Sequence, residues 1–106
     1  MRSMEISQEI QQIAEVIRQA VPAEQIYLFG SHAYGEPHEH SDYDFFVVIP
    51  DNAMRPIEAM QQAQRAIYPL RLNVPVDVLA TTRSDFNQMK DLITLEHTVN
   101  QRGILL

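Results

Sequence analysis

The chain contains no cysteine. That excludes a disulfide framework, a zinc–thiolate centre and a thiol nucleophile. It is also poor in positive charge. Eight Lys and Arg stand against 14 Asp and Glu, giving a formal charge of −6. The eight are scattered from Arg2 to Arg102, so no basic patch points to an extended nucleic-acid surface. No apolar run is long enough to span a bilayer and no signal-peptide core stands near the start, so a soluble cytoplasmic protein is the default expectation. Internal repeats, low-complexity tracts and flexible linkers are missing too. What remains is 106 residues of ordinary globular composition, 45% hydrophobic and 21% charged. That is one domain over residues 1–106, with room for one core but not for a second substrate-binding domain.

Hydrophobic periodicity predicts the elements. Ile6, Ile10, Ile13, Ile17 and Ala20 recur at three- and four-residue steps, which predicts an amphipathic helix over Met4–Ala20, stopped by Pro22. Gln25–Phe29 reads as a strand, and a polar loop follows, opening with one helical turn after Ser31. Tyr43–Ile49 is a second strand, and its near-continuous apolar run implies burial on both faces. Pro50-Asp51-Asn52 is turn chemistry. Pro56 suits the first turn of a helix running to Tyr68. Val76–Ala80 is a short third strand. Beyond Ser84 the apolar positions fit one broken helix or two short ones, capped by Thr82 or Ser84 and ended by Gly103. Ile104-Leu105-Leu106 reads as an edge strand. The order α-β-β-α-β-α-β gives an α/β (α+β) fold, a small mixed β-sheet flanked by helices.

The chemistry-bearing residues lie at strand ends. Gly30-Ser31 closes the first strand. Ten residues later, Asp42 and Asp44 open the second. Residues two apart on a strand face the same side, so the two carboxylates project together. Like charges held that close resist joint ionisation unless a cation sits between them, and oxygen ligands suit a hard cation such as Mg2+. A serine at a glycine turn beside such a cation suggests a site for nucleotide phosphates. Asp77 opens the third strand. For Ser31, Asp42, Asp44 and Asp77 to serve one site, the first strand must run opposite to the second and third, which are then parallel. The helix from Pro56 makes the crossover between them. His32, His38 and His40 lie on a polar loop without cysteine, a poor zinc set; His32 or Tyr34 is a weaker candidate for a phosphate or base contact.

Gly-Ser, ten residues, Asp-x-Asp and a later Asp in Val76-Asp77-Val78 together resemble the nucleotidyltransferase superfamily that includes DNA polymerase beta. The resemblance covers roughly residues 25–80 by motif. The small size is similar to that of the minimal nucleotidyltransferase group, many of whose members are antitoxins that adenylylate a tyrosine on a HEPN-type toxin. The resemblance implies a palm-like fold, ATP as substrate and two Mg2+ ions held by Asp42, Asp44 and Asp77, the catalytic residues. It also implies that Gly30 and Ser31 bind the β- and γ-phosphates and that Asp77 serves the acceptor hydroxyl. The pattern departs at Tyr34, where the family often carries Arg.

Two functions of different class follow. One is an enzyme that transfers AMP from ATP to a hydroxyl, with a HEPN-type protein as partner. The other is a catalytically weak or inactive module of the same fold that neutralises its partner by binding. An antibiotic-modifying transferase is disfavoured, because little chain follows Asp77 to form a drug-binding domain. A homo-oligomer is compatible with either.

Overall fold

A computed structural model describes residues 7–34, 42–92 and 94–106, with Ser31 and Tyr34 described by backbone alone. The expectations for residues 4–6 and for the loop histidines His38 and His40 fall outside the described residues. The element order is α1 (Gln8–Ala20), β1 (Gln25–Phe29), α2 (Ser31–Tyr34), β2 (Tyr43–Ile49), α3 (Pro56–Ile67), a 3-10 turn (Tyr68–Leu70), β3 (Val76–Thr82), α4 (Arg83–Met89), α5 (Leu95–Arg102) and β4 (Ile104–Leu105). It is a mixed α/β fold.

The four strands form one sheet in the order β3-β2-β1-β4. β1 runs antiparallel to β2 and to β4, while β2 and β3 run parallel. The mixed sheet and the opposed direction of β1 are as the motif positions required. Helix α3 connects the parallel pair and packs on β3 and α1.

Several boundaries differ from the sequence expectation, each for a local reason. The Ser7 side chain accepts the Ile10 N–H, so α1 begins at Gln8. Pro69 cannot continue an α-helix, so α3 ends at Ile67 and Tyr68 belongs to the 3-10 turn. β3 runs two residues past Ala80, because Thr81 and Thr82 keep pairing with Val48 and Ile49. The C-terminal apolar positions form two helices. Thr94 separates them, capping α5 by accepting the His97 N–H while its own hydroxyl donates to the Met89 carbonyl.

Alternation along β2 divides the core. Phe45, Val47 and Ile49 join Ile10, Ile13, Ile17 and Ala63 in a large cluster beneath α1 and α3. Phe46 and Val48 point the other way, into a smaller cluster with Tyr27, Phe86 and Val99. Both faces of β2 are therefore covered. Each fully buried side chain of this size contributes on the order of 1.5–3 kcal/mol. Coverage on the second face is short. The seven residues of α4 span about 10 Å, whereas the seven of β3 span about 23 Å. α4 is therefore too short to cover the length of β3, and Asp77, at its start, is exposed.

Candidate active site

The site is built where three strand ends meet. β1 ends at Phe29 and turns at Gly30, whose φ is 77°. That left-handed conformation favours glycine. A second constraint acts on the same residue: a Cβ at Gly30 would collide with the Asp44 carboxylate. The cause is register, since Phe29 stands opposite Asp44 in the β1–β2 ladder. The Ala33 N–H donates to the Gly30 carbonyl at 3.0 Å, and α2 begins at Ser31.

On the other side of β2, Asp44 is registered with Asp77 in the parallel ladder. Asp44 lies two residues before Phe46, and Asp77 one residue before the oppositely facing Val78, so both aspartates occupy the α4–α5 face. Asp44 is half-buried; Asp42 and Asp77 are exposed. Burial pushes the Asp44 carboxyl above its ordinary value, and the charges of Asp77 and Asp42 and a hydrogen bond with Asp77 push it further. His32 acts in the opposite sense.

The structure thus brings Asp44 and Asp77 into contact against the Gly30 turn, with Asp42 near enough to act on Asp44 through its charge. Among the described residues, no three acidic or histidine groups converge closely enough to count as a ready-made metal site. The donor set itself is oxygen-only, paired and mutually repelling, which is what a hard divalent cation accepts and relieves.

Two supporting residues carry no signal in the motif. The Tyr43 hydroxyl donates to Glu9 Oε1 at 2.5 Å, tying the strand between the two aspartates to α1. Burial and the neighbouring Glu9 push the Tyr43 phenol up to about 12. The His32 ring lies 4.7 Å from the Tyr43 ring, tilted by 59°. His32 was visible in sequence as a weaker candidate for a phosphate or base contact, not as a neighbour of Tyr43. Glu9 was not visible at all.

The chain belongs to the nucleotidyltransferase domain family, whose model matches residues 10–100. No curated protein matches it. Among solved structures, a toxin–antitoxin crystal structure with AMP-PNP is similar in fold, with a TM-score of 0.60 and 24% identity over 90% of this chain and 69% of that one. A mutant of the MntA–HpeT toxin–antitoxin pair gives 0.59 and 23% over the same shares. A candidate nucleotidyltransferase from Sulfolobus solfataricus gives 0.53 and 30%, over 76% of this chain and 70% of that one.

Proposed function

We propose that this chain is a Mg2+-dependent adenylyltransferase that moves AMP from ATP to a tyrosine hydroxyl of a HEPN-type toxin, and so acts as its antitoxin. The observation that carries the reading is the Asp44–Asp77 pair abutting the Gly30 turn. The toxin partner and the nucleotide are supported by fold similarity to a toxin–antitoxin structure with AMP-PNP, an ATP analogue.

Asp42, Asp44 and Asp77 would hold Mg2+, which when bound offsets triphosphate charge and favours the ionised acceptor oxygen. The residues of the chain do the rest by positioning. Backbone N–H groups after Gly30 bind the β- and γ-phosphates. Asp77, exposed at the open end of β3, faces the acceptor and takes its proton. The tyrosine oxygen forms a bond to the α-phosphorus, the bond from that phosphorus to the bridging oxygen breaks, and pyrophosphate leaves in line.

A second reading keeps the fold but not the chemistry: a weak or inactive module that neutralises its partner by covering it. Tyr34, at the family's frequent Arg position, favours it. Mass spectrometry of a HEPN-type toxin that binds this chain, after incubation with Mg2+ and ATP, separates the two. AMP on tyrosine, lost with Asp44→Asn, supports the transferase. Neutralisation without added mass, unchanged in Asp44→Asn, selects the module.

A further inference from the structure

The outward face of α3 is the chemical opposite of the chain as a whole. Two adjoining depressions, of about 710 and 380 Å3, lie on either side of Tyr68 and share Gln64. Among the described residues no carboxylate lines either one, and the charges there are Arg65 and Arg71. Among the described residues neither arginine forms an ion pair, whereas Arg18, Arg55 and Arg83 each pair with a glutamate. Tyr68 is 82% exposed, and Met60, Leu72 and Val76 supply apolar floor. Exposed tyrosine, methionine and unpaired arginine are the composition of a protein-binding patch.

Its position ties it to the acceptor. The Gln64 Nε2 donates to the Val76 carbonyl at 2.7 Å, so the end of α3 is pinned one residue from Asp77. β3 is an edge strand, so a molecule resting on Tyr68 reaches the open end of β3 by passing around that edge.

We propose that this face docks the protein that carries the acceptor hydroxyl, through a segment of that protein rich in carboxylates and apolar side chains. The inference rests on the transferase reading above and names its acceptor-binding surface. Carboxylates answer Arg65 and Arg71, and apolar side chains fill the depressions beside Tyr68. A nucleic acid is the poorer fit, because two arginines release few counterions and the remaining surface is acidic.

The test uses the full chain, 15N-labelled, at about 0.15 M salt, where charges beyond roughly 8 Å are screened. Three probes are titrated: a tyrosine peptide alternating glutamate with leucine, its lysine counterpart, and an oligouridylate. The glutamate peptide is expected to shift amides of residues 60–72, and the lysine peptide is not. Arg65→Glu combined with Arg71→Glu should weaken the glutamate peptide about tenfold or more and admit the lysine peptide. Tyr68→Ser should weaken it while leaving the thermal midpoint unchanged. Shifts centred on another surface, insensitivity to charge reversal, or tighter binding of the oligouridylate at the same amides would overturn the docking assignment. Mg–ATP is titrated separately and read at residues 29–32, 42–44 and 77. Mg–ATP binding without peptide binding sinks the docking face alone; peptide binding without Mg–ATP binding sinks the transferase reading.

Discussion

The two faces of the sheet are built to different standards. Beneath α1 and α3 the cluster is continuous, with Ile13, Ile17, Leu28, Phe45 and Ala63 all but fully buried. Beneath α4 and α5 the described residues form a five-residue island, and Leu79, on the same side as Asp77, is 38% exposed. The site sits on the thinner face. On the proposed function the difference has a use: a triphosphate and an acceptor would need open ground beside Asp44 and Asp77, while the far side of β2 carries the larger core.

The sharpest way to break the comparison is to change the thin face where it carries chemistry. Asp44→Asn should cut AMP transfer about 1000-fold or more while leaving the fold intact. Without metal it should also raise the thermal midpoint at pH 7. The folded-state Asp44 carboxyl titrates above its ordinary value of 3.8. Its ionisation therefore destabilises the fold increasingly as pH rises through that folded-state value, and asparagine removes the penalty.

Neighbouring phenylalanines compare the faces directly. Phe45→Ala should cost about 4–5 kcal/mol in urea denaturation, because the thick face cannot collapse around the cavity. Phe46→Ala should cost less, about 3 kcal/mol, because its surroundings open toward the site. Equal losses would remove the contrast.

A smaller effect is expected at the tether that ties β2 to α1 on the thicker face. Tyr43→Phe deletes the bond to Glu9 and should cost about 1 kcal/mol or less. The Tyr43 phenol is raised from 10.0 to about 12, so its contribution is fully present below pH 10 and lost as pH rises through about 12. The gap between the variant and the parent protein should close over that window.

The smallest lies at the end of the sheet far from the site, where the Asp51 carboxylate accepts both the backbone N–H and the hydroxyl of Ser84. These bonds hold Asp51 below its ordinary 3.8. Their help is present above that value and lost as pH falls below it. Asp51→Asn should speed amide exchange in the first turn of α4 at neutral pH without a measurable change in global unfolding.

How much of this was legible follows from range. β1, β2 and the start of α3 were legible because apolar runs and Pro56 act locally. The parallel pairing of β2 and β3 followed from requiring Asp42, Asp44 and Asp77 to share one end. The last two residues of β3 were hidden, because Thr81 and Thr82 are strand residues only by virtue of Val48 and Ile49 beside them. The Tyr43–Glu9 bond joins residues 34 apart, and no periodicity encodes that separation. Asp44 was recognisable as a candidate from spacing, but its half-burial against Gly30 depends on register.

That last contact has a consequence for reading related chains. Gly30 works as a gauge: the spacing between the turn and the carboxylate is stored in the absence of a side chain. A chain with all three aspartates and alanine here would pass any inventory of charged residues. It would also be strained by its positive φ, with its Asp44 counterpart displaced from its place beside Asp77. Gly30→Ala is thus a change of shape alone, with every charge kept and Asp44 obliged to move.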